Sequence, residues 1–162
     1  MQGDVTTGIT QLHQGLAVQE VVGPKMGRAY FLGLLAEAFG QAAQPESGLT
    51  VLADASTLVA ETEARWWEAE LYRLQGELLR QLPIPDVGQA EACFRQALDV
   101  ARHQQAKAPE LRAALSLAQL WQGQGQRAAA QQLLAEIYRW FTEGFDTVDL
   151  QEVKALLEEL RA

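Results

Sequence analysis

The sequence is poor in several things at once, and each shortage removes a class of answer. One cysteine, Cys93, leaves no internal disulfide to form. There is no asparagine and there are only five prolines, so turn and strand punctuation is sparse. Basic residues are few: 13 Lys and Arg against 21 Asp and Glu give a net charge of −8. They form no run, whereas a protein that neutralises phosphates needs them clustered. Nucleic acid and anionic membrane surfaces are therefore not expected partners. No stretch reaches eighteen uninterrupted apolar residues, so no bilayer span is expected. The N-terminus, MQGDVTTGITQLHQG, lacks the charged start and apolar run of a signal peptide. The expected compartment is the cytoplasm.

What remains is rich in Ala and Leu, with 48% apolar residues over 162 positions. Both residues favour helix, and the length suffices for one domain or a short solenoid. An internal repeat organises it. Small residues recur at Gly8, Gly48, Ala90 and Ala130, and four positions later come Leu12, Leu52, Phe94 and Leu134. Three further on are Gly15, Ala55, Ala97 and Ile137, then Val18, Leu58, Val100 and Trp140. Offsets of four, three and three keep each set on one helical face. A second set, Leu35-Ala36-Phe39, Gln75-Gly76-Leu79 and Leu117-Ala118-Trp121, precedes three of these helices. The middle interval is longer by two residues, which Pro83-Ile84-Pro85 places in a loop.

The spacing predicts helices near 5–20, 25–42, 46–60, 63–82, 87–104, 109–123, 126–142 and 148–161. Pro24, Pro45 and Pro109 fall where a first turn tolerates proline. Asp86 with Gln89 suggests a capping box, Gly123 and Gly125 a turn, and Asp146 or Thr147 a cap on the last helix. The organisation expected is an orphan second helix over 1–22, hairpins over 23–61, 62–105 and 106–143, and a capping helix over 144–162.

The small-large-small pattern resembles the tetratricopeptide (TPR) repeat, with units longer than its usual period. The resemblance implies an all-α, right-handed α–α superhelix of about eight antiparallel helices. RWWEAELYRLQGELL, AEACFRQALDVARHQQAK and WFTEGFDTVDLQEVKALLEEL further resemble the C-terminal repeat region of bacterial adenylate/guanylate cyclase-like signalling ATPases. That implies a protein-interaction or regulatory scaffold in signal transduction, with a protein or peptide partner, no catalytic centre and no cofactor. A second implied reading is a small-ligand-sensing regulatory domain of a signalling ATPase or transcription activator. A deep apolar pocket with convergent polar groups would separate it from the first.

Carried across in register, the concave groove would be lined by Tyr30, Gly33, Leu34 and Glu37, then by Glu70, Arg73, Leu74, Glu77 and Arg80. In the third hairpin come Arg112, Leu115, Ser116, Gln119 and Gln122. The Lys/Asn carboxylate clamp of chaperone-binding members is absent, since Gly33, Glu37 and Leu74 stand there. Arg73, Arg80 and Arg112 are then the groove's cations, suited to an acidic partner.

Other chemistry finds little support. Gly123-Gln124-Gly125-Gln126-Arg127 lacks the strand and the Lys-Ser/Thr ending of a phosphate loop and reads as a turn. His13 and His103 lie far apart in sequence, and no metal set is expected. Trp67 continues the stripe Leu71, Leu74 and Leu78, so Trp66, pointing about 100° away, either covers a neighbouring helix or contacts a partner. At the N-terminal end, Ile9, Leu12, Leu16 and Val21 lack a preceding helix to cover them. This edge, with Leu12 and Leu16, is an expected interface, most simply of a two-fold homodimer.

Overall fold

The computed structural model describes residues 2–22, 27–62 and 65–161. Among them are eight α-helices and no strand: α1 (Gln2–Val22), α2 (Arg28–Gln41), α3 (Pro45–Thr62), α4 (Glu68–Gln81), α5 (Val87–His103), α6 (Lys107–Gly123), α7 (Arg127–Tyr138) and α8 (Val148–Arg161). Each packs on the next, and α2, α4, α6 and α8 also touch one another in series. The chain is therefore an α–α solenoid with α2, α4, α6 and α8 (the A helices) along one face. The B helices α1, α3, α5 and α7 lie behind them.

Small residues at the crossings decide how closely the layers approach. Ala36, Ala55, Ala90, Ala97, Ala118 and Ala130 are wholly buried. A methyl built on Gly48 would lie 3.0 Å from the Ala36 carbonyl oxygen and 2.8 Å from Leu78 Cδ1. The core falls into two clusters. One gathers Leu16, Leu32, Leu35, Leu52, Val59, Leu71, Leu74 and Leu78; the other is centred on Phe94, Leu111, Leu117, Leu134, Ile137 and Val153. Helix α4 serves both, since its Tyr72 and Leu79 turn toward the second cluster.

Three turns share one backbone design. After α2, α5 and α6 the chain enters the left-handed region at Ala43 (φ 56°), Gln105 (φ 55°) and Gly125 (φ 78°). The following N–H reaches back to a carbonyl five residues earlier: Gln44 to Phe39 at 2.9 Å, Ala106 to Ala101 at 2.9 Å, Gln126 to Trp121 at 2.8 Å. These are Schellman caps, which satisfy the last carbonyls of a helix.

Some local readings shift. Helix α4 begins at Glu68, after a 3₁₀ turn over Arg65–Trp67, rather than at 63. Helix α7 stops at Tyr138, not 142, because Trp140 and Phe141 bond back only three residues, the tight pattern of a terminating turn. Trp140 leaves the core column as a result and stands 67% exposed, with Lys107 Nζ 4.1 Å from its ring centroid. Asp86 caps α5 by accepting from the Gln89 N–H at 3.0 Å. The capping box stays half-built, because the Asp86 N–H donates to the Leu79 carbonyl instead. Pro45 opens α3 as its first residue, whereas Pro24 lies outside the described residues. Thr147 Oγ1 donates back to Gly144 O at 2.7 Å.

Candidate functional site

The A-helix face carries a row of charges that runs across three helices. Glu70 on α4 is buried, yet its carboxylate accepts from Arg73 Nε at 2.8 Å on its own helix and from Arg112 Nε on α6 at 3.3 Å. Arg112 donates onward to Asp149 on α8 at 3.2 Å. Arg73 also approaches Glu77, at 3.9 Å, and Glu77 holds Arg80 at 3.3 Å. Burial alone would raise the Glu70 pKa, but the hydrogen bond and charge of Arg73, then those of Arg112, hold it below the ordinary carboxylate value of 4.5. For Arg73, burial works against the charge and the Glu70 bond overrides it; Glu77 and Glu37 add to the field. At the far end, Gln122 Nε2 donates to Glu159 on α8 at 2.8 Å.

This arrangement changes the electrostatic expectation. Arg73, Arg80 and Arg112 are not free cations awaiting an acidic partner. Each is engaged by a carboxylate, and Glu37, Glu70, Glu77 and Asp149 outnumber the three of them by one. Sequence reading missed Asp149 because it sits beyond the third hairpin, on a helix taken only as a cap. Only the fold brings α8 beside α6.

The other positions sort by depth. Tyr30 and Glu37 on α2, and Gln119 on α6, meet solvent in part or fully. Leu115 and Ser116 are buried, and so is Gly33, where a methyl would fall 2.8 Å from Trp67 Nε1. Leu74 is buried too, forming the floor of a recess of about 180 Å³ with Glu37, Gly40, Arg73 and Glu77. At the α2 end of this face Trp66 is 54% exposed and stacks on Tyr30, ring centroids 6.0 Å apart. Tyr30 also meets Trp67 edge-on at 4.9 Å. Trp66 thus packs on one face, against Tyr30, and leaves the other exposed.

Away from this face, His13 packs edge-on against Phe39 at 6.0 Å and His103 is exposed. No group of three or more His, Cys, Asp or Glu among the described residues could hold a metal ion. Cys93 is buried, and burial pushes its thiol pKa up, away from the reactive thiolate. No described helix is long and apolar enough to cross a membrane.

The geometry has solved counterparts. The chain superposes on the nearly identical TPR-like repeats of a kinesin-light-chain-type protein from Podosopora anserina, with a TM-score of 0.67 and 18% identity over 98% of this chain and 86% of that one. The fold is TPR-like. A single-residue variant of the same protein matches at 0.67 and 17% identity, with the same coverage. At such identities the likeness speaks for architecture alone. No protein-family model and no curated relative matches the chain. The row from Glu70 to Asp149 lies on α4, α6 and α8, which touch one another in series.

Proposed function

We propose that the chain is a protein-interaction module, a regulatory scaffold whose partner docks on the A-helix face. The observation that carries this reading is the row Glu70–Arg112–Asp149 with its flanking Arg73, Glu77 and Arg80. It is a fixed, polar, nearly neutral strip beside the exposed ring of Trp66. Pre-oriented charge pairs with an aromatic anchor at one end suit a peptide or domain surface that reads register as well as charge. The one-carboxylate excess makes a neutral or mildly basic partner a better match than an acidic one. The recess on this face, about 180 Å³, falls below the roughly 300–1,000 Å³ in which drug-sized ligands are buried. Small-molecule sensing therefore has no support on this face. The three stretches similar to the repeat region of bacterial cyclase-like signalling ATPases support placing the module in the C-terminal part of a larger signalling protein.

The test is site-specific photocrosslinking. A photoreactive residue at Gln119 or Tyr30 should capture the physiological partner, while one at the exposed B-helix position Gln96 or Gln132 should not. Equal capture from both sides would refute the assignment of the face.

A further inference from the structure

Leu16, expected at an open edge, is instead buried, and its carbonyl accepts from Arg28 at 3.0 Å. It lies at the floor of an open, apolar groove of about 680 Å³, lined also by Gly8, Leu12, Gly15 and Val18. The side chain of Val21 lies outside those described. The recess between α2 and α4, about 180 Å³, is of another kind, because it joins an apolar floor to charge. Leu74 and Leu78 are buried beneath it. Gly40 forms part of its α2 wall. A methyl there would lie 3.0 Å from Leu78 Cδ2 and 3.5 Å from Gln81 Oε1, both in the lining, so a larger residue would fill the opening. Glu37 of α2 and Glu77 and Arg73 of α4 complete the site.

The charges around this recess balance except at one point. Along the A-helix face, Arg73, Arg80 and Arg112 are matched one for one by Glu70, Glu77 and Asp149. Glu37 is the carboxylate left over. It is exposed and makes no ion pair among the described residues, although its field reaches Arg73. Arg73 is held away from it, because its Nε donates to the buried Glu70 at 2.8 Å. The unmatched negative charge of the face therefore stands beside an apolar floor.

We propose, building on the reading of this face as a docking surface, that the recess seats an arginine side chain of the docked partner. The methylene stem lies on Leu74 and Leu78, and the guanidinium meets Glu37 and Glu77. Arginine suits the site better than lysine for two reasons. Its planar fork of N–H donors can address carboxylates on two helices at once. It is also more weakly hydrated than an ammonium, so it loses less on entering a half-enclosed recess. The volume admits one long side chain and lies below what a drug-sized ligand fills. The position also gives the partner a reading frame. Tyr30 precedes Glu37 by seven residues on α2, which puts both on one helix face about 10 Å apart. About three extended residues span that distance. An arginine in the recess thus sets the side chain three positions along on the Tyr30–Trp66 stack.

The experiment follows the amide NMR signals of the isotope-labelled full chain during titration with the peptide acetyl-Arg-Ala-Ala-Leu-amide. The control peptide carries citrulline, the uncharged counterpart of arginine, in the first position. With the arginine peptide, the signals of Gly40, Leu74 and Gln81 should move and saturate, and the Trp66 indole N–H should move in step. Citrulline in the peptide, or Glu37→Gln in the chain, should each weaken binding by about two- to fivefold, the range of a partly exposed ion pair. Glu37→Gln should leave the urea midpoint unchanged, since that carboxylate holds no ion pair among the described residues. No saturable movement at the recess, or binding indifferent to both changes, overturns the proposal. Photocrosslinking judges the face separately. Capture of the partner at Gln119 with a silent recess sinks the arginine seat and keeps the docking face. A responding recess with capture only at Gln96 or Gln132 sinks the docking face, and with it the partner as the source of the arginine.

Discussion

Gly76→Ala should destabilise the protein, although it places a better helix former in the middle of a helix. Alanine is favoured over glycine there by about 1 kcal/mol. Against this stands Phe94. A methyl built on Gly76 would fall 2.5, 2.7 and 2.9 Å from three carbons of its ring, well inside contact distance. The ring is 0% exposed and walled by α4, α5 and α6, so it has nowhere to retreat. Overpacking of this kind costs about 1–3 kcal/mol, giving a net loss of about 0–2 kcal/mol. Gly15→Ala isolates the propensity part, because no described atom lies within 4 Å of its methyl, and should stabilise by up to about 1 kcal/mol. Urea denaturation monitored by circular dichroism reads both on one scale. The difference between them, about 1–3 kcal/mol, measures the crossing alone. It corresponds to roughly 2–4 °C in Tm per kcal/mol for a chain of this size. A Gly76→Ala midpoint equal to that of Gly15→Ala would refute the close-approach account of the α4–α5 hairpin.

The Schellman caps give a paired expectation. Ala43→Gly and Gln105→Gly should each stabilise by about 0.5–1 kcal/mol, while Gly125→Ala should cost about 1 kcal/mol, all readable by urea titration. In the small columns, Ala90→Leu and Ala130→Leu should each cost about 1–3 kcal/mol, whereas Ala106→Leu, at a half-buried turn position, should be nearly silent in the same titration. Because the folded pKa of Glu70 lies below its unfolded value, its contribution is complete above pH 4.5 and drains away as pH falls from there through the folded value. Glu70→Gln should therefore flatten the acid limb of a stability–pH curve. Cys93, buried with its thiol pKa raised, should react with a disulfide reagent only at the rate at which its surroundings open; fast labelling of the native chain would contradict its placement.

The repeat was legible because packing here is set by single columns. Residues such as Ala90, Phe94, Ala97 and Leu134 carry the same burden in each copy, and their spacing names the helix face before any coordinate is known. Helix ends were legible where a residue type forces them, as at Asp86 and Gly125. They were not where the backbone chose: Ala43 and Gln105 adopt left-handed conformations without the glycine that would announce them. The charge row on the A helices was half legible. Register named Arg73, Arg80 and Arg112, but side-chain pairing across helices depends on which A helix stands beside which. The bonds from Arg112 to Glu70 and Asp149 span 42 and 37 residues of sequence. The open groove was visible as a column lacking its partner, though not that Leu16 would lie at its floor.

The division of the core into two clusters joined by α4 has a mechanical consequence. In a stack where each layer leans on its neighbours, fraying starts at whichever end has the weaker neighbour. Here α8 buries Leu150, Val153, Leu157 and Leu160, while on α1 no described atom comes within 4 Å of the methyl positions of Gly8 and Gly15. Opening should therefore travel from α1 toward α4 and slow there, where Tyr72 and Leu79 are anchored in the second cluster. Tyr30 and Trp66 lie on the frayable side, whereas Arg112 and Asp149 lie on the durable one. One stretch of the A-helix face can thus be lost and regained while the other persists. Amide exchange should read as a step at α4, and whatever settles on α1 would set how often the aromatic end of that face is whole.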